Sequence, residues 1–414
     1  MSSGNLVISG AKEKLSGTVQ LTGSKSESNR ALIMQALSGG KVKVENLSLA
    51  ADTVTLEEIL NSKLKTPGPR LIDVGPAGTA MRFLTAFATL QEGEITLTGT
   101  ERMKQRPVGI LTDALKELGA KVEFPEKDGF PPVKLTGPLQ QITNKVTIKG
   151  NVSSQYISAL LLIAPNLPQG LHLTIDGELT SKPYVEMTLA MLEQAGIRHQ
   201  WNDDTITIES QPFKASVIPV EPDWSAASYW YAMAALAKEA NLFLPGLTPY
   251  SLQGDSQIGE IMANFGITSK FMHGGVLIIK EEKPLTRKIF DFKECPDLAQ
   301  TVIVVCAALG HNATFTGLET LKIKETDRVK ALQNELEKIG VKLIETNFTY
   351  KLDCSGLHFP EKLEVKTYED HRMAMAFAPL ALVIKEVEIE DYQVVEKSYP
   401  HFWDDMKKVG FEIN

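Results

Sequence analysis

One motif recurs five times along this chain: a helix-like stretch, a glycine, then a strand-like stretch. It reads LTDALKELGAKVEF, TLAMLEQAGIRHQW, IGEIMANFGITSKF, QNELEKIGVKLIE and WDDMKKVGFEI. The glycines are Gly119, Gly196, Gly266, Gly340 and Gly410, at intervals of 77, 70, 74 and 70 residues. In all five the residues one and four positions earlier are apolar: Leu118/Leu115, Ala195/Leu192, Phe265/Met262, Ile339/Leu336 and Val409/Met406. That spacing builds one helix face, and glycine suits the left-handed position that ends a helix. A second pattern interleaves with the first, an apolar helix followed by alternating strand residues and a turn. Its turn residues are Asn46, Gly99, Gly177, Gly246, Gly317 and Asp391, at intervals of 53, 78, 69, 71 and 74. Helix, glycine and strand follow one another in any α/β protein, but matched apolar positions at a fixed period mark a repeat architecture.

The reading is therefore an α/β chain of six βαβαββ-like units in two lobes, each with pseudo-threefold symmetry. The periodicity breaks at VIPVEPDW, so one lobe is expected over residues 22–223 and the other over 1–21 plus 224–414, with the active site in the cleft between them. The strand-like run Asn5 to Leu21 is expected to complete the second lobe. The short first interval implies that repeat one has lost most of its second half, around Leu60 to Val74.

Composition excludes several function classes. The 414 residues carry 43 Lys plus Arg and 51 Asp plus Glu, so 43 − 51 gives −8. Such a balance disfavours a broad nucleic-acid face while leaving room for a local cationic cleft. No apolar run approaches the ~20 residues of a membrane helix. The opening MSSGNLVISG lacks the basic start and apolar core of a signal peptide, which suggests a cytoplasmic protein. The cysteines (Cys295, Cys306, Cys354) form no CxxC pair, and no HExxH or EF-hand occurs, so neither a metal nor a cofactor is expected.

The chemistry collects where the first helix of each unit begins. These starts are GSKSESNR, GPAGTAMR, NVSSQY, EPDWSAAS, CPDLAQT and EDHRMAM. Helix N-termini present open N–H groups and partial positive charge, and several aimed at one cleft make a strong anion site. Ser, Asp and Gly there can act as caps alone, and capping is the favoured role of Asp223. The lysines and arginines need another reason, because a cation at that end opposes the helix dipole. GSKS is not a nucleotide-binding loop, since the order GxxxxGK[ST] is absent. His371 lies between Asp370 and Arg372, where a surface, a structural and a catalytic role are all open.

GSKSxSNR, AGTAMR, RMKxRP, SSQ, SKPY, KETDR, DHRMAM and a late lysine in VEKSYP occur in order along nearly the whole chain. Together they resemble the 5-enolpyruvylshikimate-3-phosphate synthase family. The resemblance implies a two-lobed enolpyruvyl transferase fold, an inverse α/β barrel in each lobe. It implies transfer of the enolpyruvyl group of phosphoenolpyruvate to the 5-hydroxyl of shikimate 3-phosphate, with release of phosphate. Asp297 then stands as the base, Glu325 as a second acid/base group and Lys25 as a proton carrier. Shikimate 3-phosphate is assigned to Lys25, Ser26, Arg30, Ser153, Ser154, Gln155, Ser181, Tyr184, Asp297, Thr320 and Lys324. Phosphoenolpyruvate is assigned to Lys25, Gly78, Arg82, Arg106, Gln155, Arg328, His371, Arg372 and Lys397. The two substrates bring two phosphates and two carboxylates, which arginine forks and lysine point charges suit. A monomer with small-molecule partners only is implied.

Three positions depart from the family pattern. Pro76 stands where Asn is usual, Phe83 where Pro is usual, and Thr320 where Asn commonly contacts the shikimate ring. The first two flank Gly78 and bear on sensitivity to glyphosate. For Asp297 a helix cap before LAQTVIVV is the competing role, and Glu325 and Asp327 could serve a helix dipole. Three other functions compete: the sister transferase acting on UDP-N-acetylglucosamine, a non-catalytic anion-binding protein, and a nucleic-acid-processing relative. The first would carry a reactive cysteine in the first half, where this chain has none.

Overall fold

The five helix-ending glycines adopt positive φ, between 73° and 109°, in the computed structural model of the chain. The model describes residues 4–9, 14–65 and 68–414. Parts of three stretches read above, at residues 1–3, 10–13 and 66–67, lie outside the described residues. At Gly340 the left-handed turn closes the helix with Gly340 N donating to Glu337 O and Val341 N to Leu336 O. Five of the six strand-ending turn residues are also left-handed, including the non-glycines Asn46 and Asp391. Gly99 is the exception. It is needed for close approach, since a Cβ there would lie 2.5 Å from the Gly75 carbonyl.

The chain forms two compact units, one of residues 23–220 and one of residues 1–22 with 221–414. The first contains helices α1 (Lys25–Leu37), α2 (Ala51–Asn61), α3 (Gly78–Ala88), α4 (Glu101–Lys104), α5 (Gly109–Leu118), α6 (Ser154–Ile163) and α7 (Lys182–Gln194). Helices α1, α3 and α6 pack on one another and are buried along most of their length. Two four-stranded sheets share one plan. Arg70–Asp73 runs parallel to Gly93–Thr98, with α3 between them in sequence, and Val133–Gly137 and Lys121–Glu123 then add antiparallel. Lys145–Lys149, Leu171–Asp176, Thr205–Ile208 and Gln200–Asn202 repeat that order around α6. The third sheet has two strands, Val42–Glu45 parallel to Ser216–Pro219. The antiparallel pair missing among the described residues is the structural form of the shortened first repeat: α2 stands where α5 does in the next repeat, and the pair would follow it.

The second unit contains α8 (Trp224–Leu236), α9 (Ile258–Ala263), α10 (Ala299–Ala308), α11 (Arg328–Glu337), α12 (His371–Phe377) and α13 (Phe402–Val409). Here α8, α10 and α12 form the centre; all ten residues of α10, AQTVIVVCAA, are buried. A helix apolar on every side has to be surrounded, and each large side chain so enclosed contributes ~1.5–3 kcal/mol. All three sheets are four-stranded and keep the plan seen in the first unit. The N-terminal strands complete two of them: Leu6–Ser9 lies between Glu386–Ile389 and Glu412–Ile413, and Lys14–Thr18 pairs with Glu239–Pro245.

That last pairing departs from simple repetition. Lys14–Thr18 precedes α1 in sequence yet pairs with the strand that follows α8, while Ser216–Pro219 precedes α8 yet pairs with the strand that follows α1. Each strand stays in the unit the chain is leaving, so each unit holds a full set of three parallel pairs.

The glycine argument is testable. An alanine Cβ at Gly340 would lie 2.0 Å from the Gly356 carbonyl, whereas at Gly39, also left-handed, it meets nothing within 4 Å. Gly39→Ala should cost about 1 kcal/mol of unfolding free energy from backbone strain alone. Gly340→Ala should cost roughly 3 kcal/mol or more, because backbone must move as well. Equal losses in denaturant titration would contradict the role given to the repeat glycine.

Candidate active site

In the unit of residues 23–220, the starts of α1 and α3 carry charged groups and the start of α6 carries two serines and Gln155. Ser24 caps α1 by accepting from Glu27 N at 3.4 Å, which puts Lys25 at its first position. The Lys25 ammonium lies 3.4 Å from an Asp52 carboxylate oxygen on α2. Arg30, one turn further on, is nearly fully buried. Its Nε donates to Thr188 Oγ1 at 2.7 Å, Nη1 to Ser26 O at 2.8 Å, and Nη2 to Ser158 Oγ and Tyr184 O, both at 3.1 Å. These bonds occupy four of the five guanidinium hydrogens. The group also stacks near Phe83 and Tyr184, with 5.4 and 6.0 Å to the ring centres. Burial lowers its pKa to about 10, so it stays charged at neutral pH.

Gly78 opens α3, and a Cβ there would fall 2.6 Å from Nη1 of both Arg82 and Arg106. The space a side chain would take at Gly78 is occupied by these two guanidinium heads. Arg82 donates back to Gly78 O at 2.9 Å and lies over the Tyr156 ring at 5.8 Å. Tyr156 in turn donates to Pro107 O at 2.6 Å, which fixes the segment carrying Arg106. Gln155 on α6 donates to Thr79 Oγ1 at 3.1 Å, so Gly78, Arg82, Arg106 and Gln155 form one cluster. Ser153 caps α6 weakly, accepting from Gln155 N at 3.4 Å, and Ser154 is its first residue. Ser181 precedes α7 with φ 55° and makes no cap hydrogen bond. A serine held in the left-handed region is strained by ~1–3 kcal/mol, the kind of strain that collects at functional positions.

In the unit of residues 1–22 and 221–414, cations and carboxylates interlock. Arg328 opens α11 and is 2% exposed. Its Nε donates to Asp370 at 2.6 Å, Nη1 to Asp297 Oδ1 at 3.0 Å, and Nη2 to Glu325 at 2.9 Å. Arg372 on α12 donates through Nη2 to Asp297 Oδ2 at 3.0 Å and to Ser225 Oγ at 3.3 Å. Its Nη1 lies 3.3 Å from Asp297 O and from Tyr229 Oη. Lys324 approaches Asp297 at 4.0 Å and Lys397 approaches Glu325 at 3.8 Å. Asp297, Lys324, Glu325, Arg328, Arg372 and Lys397 are thus brought together. Thr320 sits half-buried on the 3-10 turn Glu319–Ile323 nearby in sequence. The side chains of Asp297 and Glu325 keep 20% and 15% exposure, while Asp370 has none.

Several open roles are decided by this geometry. Asp223 caps α8 through Ala226 N at 3.0 Å. Asp297 is no cap: it lies on the 3-10 turn Pro296–Leu298, and α10 begins after Leu298 without a side-chain cap. Asp327 caps α11, accepting from Lys330 N at 3.0 Å, while Glu325 pairs with Arg328. His371 is buried, 3.4 Å from Asp370, which removes the surface alternative. Sequence reasoning missed Asp370 as a partner of Arg328, and Asp255, Ser225 and Tyr229 altogether. Of these, Asp370 inside DHRMAM and Ser225 inside EPDWSAAS carried a local signal.

Burial would raise the Asp297 pKa, but Arg372, Lys324 and Arg328 together hold it well below the usual carboxylate range. Burial likewise opposes the charge on Arg328, and Asp370, Glu325 and Asp297 overcome it, raising its pKa. Tyr229 is pushed up to about 12 by burial. Asp255 goes the other way from Asp297. Burial, aided by the charges of Asp297 and Asp223, lifts it to about 6 against Arg372 and the Ser225 hydrogen bond. Among the described residues no His, Cys, Asp and Glu group is placed to hold a metal, and no helix is long and apolar enough to cross a membrane.

Each of the two repeat-built α/β units thus has a central triplet of helices with polar and charged side chains at the helix starts. The EPSP synthase (3-phosphoshikimate 1-carboxyvinyltransferase) family model matches residues 10–406, and the chain belongs to that family. It is 46% identical to a 3-phosphoshikimate 1-carboxyvinyltransferase of Bacteroides fragilis, over 97% of each chain. The identity is 35% to the enzyme of that name from Colwellia psychrerythraea, over 96% of this chain and 97% of that one. Among solved structures it resembles an EPSP synthase of Acinetobacter baumannii, with TM-score 0.78, 19% identity and full coverage of both chains. The enolpyruvyl transferase NikO of Streptomyces tendae has TM-score 0.77 at 16% identity, over 100% of this chain and 99% of that one. At these identities the structural likenesses speak to fold.

The raised Asp255 pKa has a stability consequence. A carboxyl whose folded pKa exceeds its unfolded value favours the fold below the unfolded pKa and loses that contribution as pH rises through the folded pKa. Asp255 should therefore cost stability above about pH 6. Asp255→Asn should raise Tm relative to the parent at pH 8 and lose that advantage by pH 4, measured by scanning calorimetry. A variant destabilised equally at both pH values would contradict the assignment.

Proposed function

We propose that this protein transfers the enolpyruvyl group of phosphoenolpyruvate to the 5-hydroxyl of shikimate 3-phosphate, releasing phosphate. The observation that carries the reading is Asp297, a partly open carboxylate held ionised among Arg328, Arg372 and Lys324. Family membership supports the choice of substrates and disfavours the sugar-nucleotide transferase. A purely anion-binding protein has no use for such a carboxylate, because it repels the ligand.

In the proposed addition step the 5-hydroxyl oxygen attacks C2 of phosphoenolpyruvate, its proton passes to Asp297, and a proton is added at C3. Elimination then removes a C3 proton and breaks the bond to the phosphate oxygen. Glu325 serves as the second acid/base group and Lys25 as proton carrier. Shikimate 3-phosphate takes Lys25, Ser26, Arg30, Ser153, Ser154, Gln155, Ser181, Tyr184, Asp297, Thr320 and Lys324. Phosphoenolpyruvate takes Lys25, Gly78, Arg82, Arg106, Gln155, Arg328, His371, Arg372 and Lys397. The reading is of a cytoplasmic monomer, one chain supplying every group named.

Asp297 as found is a weak base, since its oxygens accept from two arginines. Substrate phosphate and carboxylate oxygens compete for those same arginines. Each guanidinium hydrogen turned to substrate releases a lone pair on Asp297 and raises its basicity. Substrate binding in this way prepares the base.

The test is phosphate release. Phosphoenolpyruvate with shikimate 3-phosphate should yield phosphate, and phosphoenolpyruvate with UDP-N-acetylglucosamine should not. Asp297→Ala should lower turnover ~10²–10⁴-fold while shikimate 3-phosphate still binds. Release with the sugar nucleotide alone, or near-normal turnover in the variant, would overturn the substrate or the base respectively.

A further inference from the structure

Arg372 is gripped from two sides by groups of different kinds. On one side is the Asp297 carboxylate, the partner that substrate anions displace. On the other are two hydroxyls of α8, Ser225 and Tyr229, each 3.3 Å from a different terminal nitrogen of the guanidinium. Residues four apart share a helix face, so one face of α8 meets both prongs of the fork.

The Ser225 hydroxyl has a fixed direction. A guanidinium has no lone pair to accept a hydrogen bond, so Arg372 must donate to Ser225 Oγ. The single serine proton is then directed to Asp255 Oδ2, with which Oγ makes a short contact. Asp255 is 2% exposed, on the 3-10 turn Gly254–Gln257, outside the residues assigned to either substrate. Asp297, Arg372 and Asp223 all lie within electrostatic reach of it, and Cys295 feels its charge. Burying a carboxylate beside two others is costly. The fold obtains little for that cost: the 3-10 turn needs no acid there, and α8 already has Asp223 as its cap.

We propose that Ser225 and Asp255 form a positioning pair that holds Arg372 in place for phosphoenolpyruvate while Asp297 releases it. The idea rests on the reading of Arg372 and Asp297 given under the proposed function. Neither Ser225 nor Asp255 touches the reacting atoms. Asp255 polarises the serine hydroxyl, and the hydroxyl presents its lone pair to Arg372 Nη2. When Asp297 gives up the guanidinium, the fork stays aimed because its α8 side is unchanged.

The experiment is steady-state kinetics on the full chain with both substrates varied, beside thermal unfolding. Ser225→Ala should raise KM for phosphoenolpyruvate about 10-fold, the effect of one hydrogen bond to a charged group. KM for shikimate 3-phosphate should stay within about twofold, and Ser225→Thr, which keeps the hydroxyl, should restore most of the loss. Asp255→Asn should raise the phosphoenolpyruvate KM roughly 3- to 10-fold without lowering Tm at pH 8. A structural role would instead lower Tm and move both KM values together. That pattern overturns the proposal, as does an unchanged phosphoenolpyruvate KM in Ser225→Ala or a failure of Ser225→Thr to restore it. A parent protein without turnover overturns the functional reading and this proposal with it. An active parent with unaffected variants overturns the proposal alone.

Discussion

The ion-paired cage around Arg328 sets the geometry of everything near it. One buried guanidinium ties together three segments: the turn before α10 through Asp297, the start of α11 through Glu325, and the cap of α12 through Asp370. Asp370 does double duty, because its Oδ1 also accepts from Arg372 N. Buried ion pairs of this kind add little net stability, since desolvation offsets most of the attraction. Their effect here is positional. Removing one partner would leave a buried charge uncompensated, so the starts of three helices are held in one arrangement.

The unit of residues 23–220 holds its cations by other means. Arg30 donates to neutral oxygens of α1, α6 and α7 and lies against aromatic rings, with the Glu27 charge adding to its support. Arg82 and Arg106 converge over a glycine that has no side chain to keep them apart. The two units thus share a repeat plan and differ in electrostatics. One pairs its arginines with carboxylates, including the proposed base. The other places Arg30 among neutral oxygens and aromatic rings and pairs Lys25 with Asp52.

Much of this was legible in the sequence because it is periodic. Gly119, Gly196, Gly266, Gly340 and Gly410 announce themselves by spacing, and the left-handed turns follow from local sterics. The shortened first repeat was visible as a short interval and appears as a two-stranded sheet. Pairings between distant segments were not legible. Nothing local says that Lys14–Thr18 pairs beyond α8, or that Thr188 would take the Nε hydrogen of Arg30. Asp255 in LQGDSQ reads as an ordinary polar turn, and only folding brings it to Ser225. The departures Pro76, Phe83 and Thr320 were equally plain in the sequence. Phe83 lies under Arg30, so a residue change beside the phosphoenolpyruvate motif affects the neighbouring arginine.

The central claim is that substrate anions and Asp297 compete for the same guanidinium groups. It is tested most directly by calorimetric titration of inorganic phosphate into the parent protein and Asp297→Asn, each saturated with shikimate 3-phosphate. The asparagine removes the competing charge and keeps the side-chain shape. Phosphate should then bind more tightly, by about fivefold for a pairing energy on the order of 1 kcal/mol. Weaker binding in the variant would contradict the account, because it would mean that Asp297 only holds the arginines in place.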